Sequence, residues 1–187
     1  MSVLIINSNV EHELAGGQYA QRRDQCESAL KAIGKPSWRD VLPEDLELAR
    51  ASLSEDQHAY GRHVVTEIER TLKAATAFES EQWERVGELM YASHESLQRD
   101  YRVSCDELDV LVRLARQLGI AGGVYGSRMT GGGFGGCTVT LVSTDRVDSI
   151  SKEILSRYKS ETGIRATSFV SRPAIGAHLV QRKSNDN

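Results

Sequence analysis

The sequence contains few cysteines and no long apolar segment, and these absences exclude several classes of protein. Its 187 residues include three cysteines, Cys26, Cys105 and Cys137, which are widely spaced and outside any C-x-x-C pattern. This usage argues against a disulfide framework or a cysteine zinc site and favours a reduced, cytoplasmic setting. No apolar run approaches the ~20 residues of a membrane-spanning helix, and the first residues lack the apolar core of a signal peptide.

The sequence also lacks a charge excess, an internal repeat and a metal motif. Its formal net charge of −3 gives no positive field that would recruit nucleic acid. His12-Glu13 and His94-Glu95 begin like H-E-x-x-H, but the second histidine is missing in both, so no metal site is predicted. We expect one domain over residues 1–182, able to bury roughly 70% of its unfolded surface, followed by a polar tail over residues 183–187.

Hydrophobic periodicity predicts four strands and a block of helices. The strands are predicted at residues 3–6, 123–128, 137–142 and 166–170. Between the first two strands, a helix is predicted from Gly16-Gly17 to Ile33 and another from Pro43 to Ala51, followed by three longer ones. This order predicts an α+β fold, in which helices are segregated on one face of a mainly antiparallel sheet.

Capping patterns and apolar spacing define the longer helices. Ser54-x-x-Gln57 is a capping box, and the helix after it is predicted to turn inward Val64, Val65, Ile68, Leu72 and Ala75. Ser80 is expected to cap the next helix, whose inward residues are Trp83, Val86, Leu89, Met90 and Leu97. Ser104-x-x-Glu107 is a second capping box, before a helix that ends at Gly119. The last helix, which stops near Gly163, is predicted to bury Val147, Ile150, Ile154 and Tyr158.

The densest glycine segment of the chain is Gly131-Gly132-Gly133-Phe134-Gly135-Gly136. Backbone without side chains allows another group to come very close, either an anion such as phosphate or a second loop. The formal G-x-G-x-x-G match is not a dinucleotide fingerprint, because a β-branched strand follows it where a helix is required, and no Gly-Lys-Ser/Thr closes it as in a Walker loop. We therefore predict a strand–glycine loop–strand unit, with a tight bulged connection as the alternative reading.

Three segments together resemble one family of small-molecule kinases. The string Tyr125–Val142, YGSRMTGGGFGGCTVTLV, resembles the third signature of galactokinases, which belong to the GHMP kinases. Ile6-Asn7-Ser8-Asn9-Val10, with His12, Tyr19 and residues 22–27, is similar to the segment that opens the C-terminal half of that family. A third match comprises residues 93–97, 100–101 and 104–109. These matches lie in family order and span about Ile5 to Val170.

The resemblance implies a fold and an activity. The fold would be the GHMP kinase C-terminal domain, a four-stranded, mainly antiparallel sheet backed by helices. The parent activity would be ATP-dependent phosphorylation of galactose, or of a related sugar, to galactose 1-phosphate, usually with Mg²⁺. The family's sugar signature, serine-rich phosphate loop and acidic base belong to an N-terminal catalytic half, and this chain has no P-x-G-x-G-x-S-S run. We therefore expect a portion that has no catalytic residue, is inactive alone and leaves ATP and Mg²⁺ mainly to the absent half. The alternative is a non-catalytic sugar sensor or interaction domain.

The resemblance also implies roles for individual residues. Tyr19 matches the family tyrosine whose hydroxyl contacts the sugar, and the resemblance favours that role, although a tyrosine in the first turn of an amphipathic helix is more often a half-buried packing residue. The glycine loop, residues 131–136, would pack beside the phosphate-binding loop of the absent half. Arg128 would either add positive charge to that pocket or form a structural ion pair. Glu11 stands where galactokinases often carry Lys or Arg, and a carboxylate cannot stabilise phosphoryl charge.

Further expectations concern charge pairing and partners. Arg22 and Arg23 oppose the helix macrodipole, so a surface ion-pair cluster with Asp24 and Glu27 is predicted. The expected partners are the sugar and the missing N-terminal half. The surface that faces this half should be apolar and exposed, which invites self-association.

Overall fold

The sheet consists of four strands that pair in antiparallel fashion. They are β1 (Ser2–Glu11), β2 (Val124–Thr130), β3 (Gly135–Val142) and β4 (Thr167–Ser171), in the spatial order β2-β3-β1-β4. The computed structural model describes residues 1–11, 17–174 and 176, and of residues 11, 18 and 19 it describes the backbone alone. The predicted boundary between residues 182 and 183 lies outside the described residues.

Six α-helices accompany this sheet in the described part of the chain. They are α1 (Gln18–Ile33), α2 (Pro43–Leu48), α3 (Glu55–Glu79), α4 (Trp83–Arg99), α5 (Asp106–Leu118) and α6 (Val147–Thr162). The first five lie between β1 and β2 in sequence, as the block of helices predicted. The α+β class and the four-stranded antiparallel sheet are thereby confirmed.

The main core lies between one face of the sheet and helices α5 and α6. Successive strand residues point to opposite faces, so Leu4 and Ile6 of β1 share this inner face and are 0% and 1% exposed. All four residues predicted to point inward from α6 are buried: Val147, Ile150, Ile154 and Tyr158. Tyr158 also donates its hydroxyl to the carbonyl of Ser8 at 3.1 Å, which satisfies a polar group that would be costly to bury unpaired.

A glycine pair lets α4 approach β2 closely. A Cβ atom on Gly87 of α4 would lie 1.8 Å from the carbonyl oxygen of Tyr125, and one on Gly126 would lie 2.4 Å from the Cα of Gly87. Neither distance is possible for real atoms, so only glycine fits at both positions. The sequence analysis missed Gly87, because a lone helical glycine carries no signal of what it packs against.

Two of the three capping predictions were wrong. Ser54 and Gln57 form the predicted capping box, with N–H···O contacts of 3.1 and 2.9 Å. Ser80 is the C-cap of α3, and α4 begins after Gln82 without a side-chain cap. Cys105, not Ser104, is the N-cap of α5. The Ser104 hydroxyl instead donates to Asp109 at 2.5 Å. The hydroxyl that the sequence pattern predicted as the helix cap is therefore used in a side-chain contact with Asp109.

The inner side of α3 also differs from the prediction. Leu72 is 67% exposed and Ala75 is exposed, whereas His58, Tyr60 and His63 are buried. Apart from Ala77, every buried residue of α3 lies between positions 58 and 65. The helix therefore buries mainly its N-terminal half, and apolar periodicity alone cannot tell which half of a long helix is covered.

Candidate functional site

The glycine segment forms the connection between β2 and β3, so the predicted strand–glycine loop–strand unit is confirmed. Gly131, Gly133 and Gly136 have φ angles of +87°, +92° and +85°, in the left-handed region that glycine adopts without steric cost. Phe134 has φ +58°, which a bulky residue keeps only where its surroundings hold it. The conformation of the loop therefore depends on its glycines, since other residues adopt these φ angles only at a cost in free energy.

The inner side of this loop packs against the connection between α4 and α5. The Phe134 N–H donates to the carbonyl oxygen of Val103 at 2.6 Å. A Cβ atom on Gly133 would lie 2.2 Å from the same oxygen. The bare backbone at Gly133 thus serves close packing on a second segment, one of the two uses expected for such a run.

The outer side of the loop is not covered by any residue that the structure describes. At Gly131, Gly132 and Gly136, a Cβ atom would meet nothing within 4 Å in the described part of the chain. Backbone without side chains that faces open space can be approached closely by a group from outside, and its N–H groups suit an anion. One loop therefore combines a packed side with an accessible side.

The beginning of α1 lies beside this loop. The guanidinium carbon of Arg22, in the second turn of α1, lies 4.8 Å from the centroid of the Phe134 ring. Tyr19 lies one turn earlier in the same helix, and its side chain is outside the described residues. The backbone of Glu11 pairs with Gly135 at the other end of the loop, and its side chain is also not described.

Arg22 and Arg23 have different surroundings. Arg23 forms the predicted surface ion pair with Glu27 at 2.8 Å, with 74% of its side chain exposed. Arg22 is half-buried, and its Nε and Nη2 donate to the carbonyls of Tyr101 and Arg102 at 2.9 and 2.7 Å. The sequence analysis missed these contacts, because residues about 80 positions apart carry no local signal of their pairing.

Arg128 takes part in a charged cluster next to the loop. Its Nη1 lies 3.4 Å from Oε1 of Glu67, and its Nε donates to the carbonyl of Met129 at 3.0 Å. The same Glu67 accepts a 2.5 Å hydrogen bond from Ser93 and pairs with Arg70. The structural ion pair, one of the two roles expected for Arg128, is thus present. Two arginines against one carboxylate leave the cluster with a net positive charge.

The charged cluster borders a groove of about 610 Å³ on the outer face of the sheet. The outer face is the side of the sheet opposite α5 and α6. It carries side chains from paired positions of β1, β3 and β4, namely Val3, Ile5, Val139, Leu141 and Phe169. Apolar side chains dominate the groove, among them Val3, Phe78, Trp83, Met90, Val139 and Leu141. Trp83 and Met90 are thus packing residues, as predicted, on a face that the described chain covers only in part.

A second polar network connects α4 and α5 to the end of β2. The Met129 N–H donates to Nδ1 of His94 at 3.3 Å, so the ring proton resides on Nε2, which lies 3.1 Å from Oδ1 of Asp109. Gln98 donates to the other Asp109 oxygen at 2.5 Å. Burial raises the pKa of Asp109, but the donors from His94, Ser104 and Gln98 outweigh it and leave the pKa lowered. This network fixes the strand that leads into the glycine loop.

Two of the thiols, those of Cys26 and Cys105, do not suit nucleophilic chemistry. Burial raises the pKa of Cys105 to about 11 and also raises that of Cys26, so both remain protonated at neutral pH.

Within residues 1–11, 17–174 and 176, no group of three or more His, Cys, Asp or Glu side chains is arranged to hold a metal ion. In the same ranges, none of the helices has the length and apolar character needed to cross a membrane.

Comparison with known proteins gives consistent matches. The family described as GHMP kinases C terminal matches residues 72–160. The chain is 47% identical to the galactokinase of Homo sapiens over 180 residues, which is 96% of this chain and 44% of that protein. It is 41% identical to the galactokinase of Actinobacillus succinogenes over 95% of this chain and 46% of that protein. The chain therefore spans less than half the length of these relatives.

Solved structures agree with the sequence matches. The structure of the Lactococcus lactis galactokinase complexed with galactose superposes with a TM-score of 0.84 at 33% identity, over 90% of this chain and 44% of that one. The L. major mevalonate kinase superposes with a TM-score of 0.54 at 21% identity, which shows a shared fold. These matches show that the chain has the GHMP kinase C-terminal fold and that it is similar, over nearly its whole length, to the C-terminal portion of galactokinases.

Proposed function

We propose that this chain forms one wall of the sugar site of an ATP-dependent galactokinase. The reaction transfers the γ-phosphoryl group of ATP to the anomeric hydroxyl of galactose and yields galactose 1-phosphate. Support comes from relatives of 40–47% identity that carry this name and from the Lactococcus lactis protein, which was solved with galactose. Enzymes that share this architecture phosphorylate several small molecules, so phosphoryl transfer is the broader statement and galactose the narrower one.

The observation that carries the proposal is the two-sided glycine loop. Its inner side is held by Val103, and its outer side presents backbone at Gly131, Gly132 and Gly136 that no described residue covers. Phosphoryl transfer depends mainly on positioning and electrostatic stabilisation. A loop that is rigid on one side and bare on the other suits close packing beside a phosphate-binding loop, which is the role we propose for it.

We assign supporting roles to two side chains. Tyr19 would contact the sugar through its hydroxyl, since its helix begins beside the loop. Arg128 would add charge only indirectly, because Glu67 already pairs with it. The described residues do not form a metal-binding cluster, so no step of the proposal assigns Mg²⁺ to this chain. The open glycine backbone suits the phosphates of ATP, which we expect to be held mainly by the rest of the protein.

The outer face is the proposed contact with that remaining part. Phe169, on the outer face opposite Ile5, is 60% exposed, and Phe78, which lines the apolar groove, is 47% exposed. Exposed apolar area of this kind marks contact surfaces. In a chain that stands alone, the same face would support self-association.

A coupled assay with ATP, magnesium and galactose tests the proposal. The 187-residue chain alone is expected to show no turnover, because the positioning of nucleophile and phosphate can contribute roughly 7–11 kcal/mol. Adding the N-terminal half of a galactokinase is expected to restore activity. Turnover by the chain alone, at the rate of an intact sugar kinase, would overturn the assignment of the catalytic groups to the absent half.

A sugar sensor without turnover is the second candidate, and Glu11 favours it. The backbone of Glu11 pairs with that of Gly135 at the edge of the loop, so a carboxylate-bearing position lies where phosphoryl charge would have to be stabilised. Calorimetry with galactose, run beside the coupled assay on the full-length protein, separates the two. Sugar binding without turnover identifies a sensor, and sugar binding with turnover identifies the kinase.

A further inference from the structure

Arg22 contacts three segments that do not adjoin it in sequence. Its Nε and Nη2 donate to the carbonyls of Tyr101 and Arg102, in the connection between α4 and α5, at 2.9 and 2.7 Å. Its guanidinium carbon lies 4.8 Å from the ring centroid of Phe134 in the glycine loop and 5.9 Å from that of Tyr60 in α3. Hydrogen bonds from a charged donor are stronger than neutral ones, and both rings lie within the range of cation–π attraction.

The α4–α5 connection is itself the support of the glycine loop. Val103, directly after the two carbonyls that Arg22 binds, accepts the Phe134 N–H and contacts the backbone position of Gly133. Arg102 has φ +55°, a conformation that a non-glycine residue keeps when its surroundings fix it. Tyr101 is held by stacking on His63, with ring centroids 4.7 Å apart, and by an edge contact with Tyr60. The guanidinium of Arg22 therefore bridges the loop and the segment on which the loop rests.

The position of Arg22 in α1 gives this bridge a consequence for the site. Positions 19 and 22 are three apart, and positions with that spacing are neighbours on one face of a helix. A helix that is fixed at Arg22 is thereby fixed, in distance and rotation, at Tyr19 as well. Arg23, the next residue, is exposed and pairs along the helix with Glu27.

We propose that Arg22 is the positioning residue that sets the distance between α1 and the glycine loop, and so between the sugar contact at Tyr19 and the open backbone of the loop. This inference rests on the proposed function for its kinetic consequence, but its structural part stands independently. Arg22 acts through Phe134 and the α4–α5 connection and does not touch the reacting atoms. A lysine cannot replace it, because an ammonium group cannot make the forked pair of hydrogen bonds while covering a ring.

The first test measures hydrogen exchange at the loop amides of the full-length protein. Arg22→Lys is expected to accelerate exchange of the Phe134 amide, whose acceptor is Val103, by roughly tenfold or more, since local opening then requires less free energy. The matched control is Arg23→Lys, which changes an exposed pair of the kind that contributes little and should leave loop exchange unchanged. Equal protection in wild type and Arg22→Lys would overturn the proposal, as would equal effects of the two substitutions.

The second test is kinetic and uses the same variants. Arg22→Lys is expected to lower kcat/KM for the sugar by roughly tenfold to a hundredfold, because small errors of position are costly, while the KM for ATP changes less than twofold. If the full-length wild type has no kinase activity, the proposed function fails while the exchange result still decides the role of Arg22. If loop exchange rises but kcat/KM for the sugar does not change in an active enzyme, the link between loop position and the sugar site is overturned.

A third variant covers the case in which Arg22→Lys does not fold. Phe134→Leu keeps an apolar side chain and removes the ring that the guanidinium covers. It is expected to accelerate loop exchange in the same direction by a smaller factor. Where both single variants fold, the double variant should fall short of the product of their effects, because each removes the same contact. The bridge would be contradicted if Phe134→Leu changed exchange rates only in α3. It would also be contradicted if the factor by which the double variant accelerates loop exchange equalled the product of the two single factors.

Discussion

The two faces of the sheet differ in how completely the chain covers them. On the inner face, Leu4 and Ile6 are almost fully buried beneath α5 and α6. On the outer face, Val3 and Ile5 of the same strand are half-buried, and Phe169, opposite Ile5 on β4, is 60% exposed. The inner face therefore carries the larger buried cluster, whereas the outer face is buried around Leu141, Val86 and Ala77 and keeps exposed apolar area at Phe169.

The glycine loop repeats this division on a smaller scale. Gly133 and Phe134 pack on Val103, whereas no residue that the structure describes lies within 4 Å of a Cβ position at Gly131, Gly132 or Gly136. Substitutions on the packed side should therefore change stability, whereas a substitution at Gly132, which lies on the open side and has no positive φ, should change activity alone. Paired substitutions on the two sides of each feature test this division directly.

The largest effect is expected for a truncation in the inner core. Ile6→Ala should lower the free energy of unfolding by about 2–5 kcal/mol, since it removes buried methylenes and leaves a cavity. Ile5→Ala lies one position away on the same strand, on the half-buried outer face, and should cost roughly 1–2 kcal/mol. Urea unfolding monitored by circular dichroism measures both. Equal losses would show that the outer face is as fully packed as the inner one and would break the comparison.

The next effect separates the two sides of the glycine loop. Gly133→Val should reduce stability by roughly 1–3 kcal/mol through backbone strain and should abolish most activity, because its Cβ would overlap the Val103 oxygen. Gly132→Val, at a position without positive φ and with no described residue within 4 Å of the added Cβ, should preserve the unfolding midpoint and lower activity only. Thermal unfolding and the coupled assay are measured on the full-length protein. A Gly132→Val variant with full turnover would show that the open side does not shape the site.

Local patterns predicted the fold where short-range physics decides it. The four inward residues of α6 follow a 3.6-residue period and are all buried, and the Ser54–Gln57 capping box forms as its spacing indicates. The same reasoning failed at Leu72 and Ser104, where the coverage of a helix and a hydrogen bond to Asp109 depend on tertiary packing. The spacing of apolar residues shows that a helix has an apolar face, but it does not show which element packs against that face.

The candidate site was predictable as a motif and not as a geometry. The glycine run was evident in the sequence, and so was the requirement for bare backbone. Its division into a packed and an open side depends on Val103, about 30 positions away, and the bridge by Arg22 joins residues about 80 positions apart. A single sequence contains no record of such contacts, which arise when the sheet and the helices close around the loop.

A third prediction concerns self-association through the outer face. Phe169→Ser should weaken self-association of the 187-residue chain by roughly tenfold, because a large exposed ring contributes strongly to apolar contact. Leu48→Ser is the matched control, since Leu48 is 85% exposed but lies on α2, away from the sheet. Sedimentation equilibrium over a range of concentrations provides the measurement. A wild-type chain that stays monomeric at high concentration would remove the outer face from consideration as a contact surface.

The smallest effect is expected for the hydroxyl of Tyr19. In the full-length protein, Tyr19→Phe should raise the KM for the sugar by a factor that corresponds to about 0.5–1.5 kcal/mol, the net contribution of one neutral hydrogen bond, and should leave the KM for ATP nearly unchanged. Tyr125→Phe is a suitable control, because Tyr125 belongs to the contact between α4 and β2 at the far end of the strand from the loop. Steady-state kinetics with each substrate varied in turn distinguishes the two variants. If the KM for the sugar stays at its wild-type value in Tyr19→Phe, Tyr19 is a packing residue of α1, and the open side of the site is then defined by the glycine backbone without it.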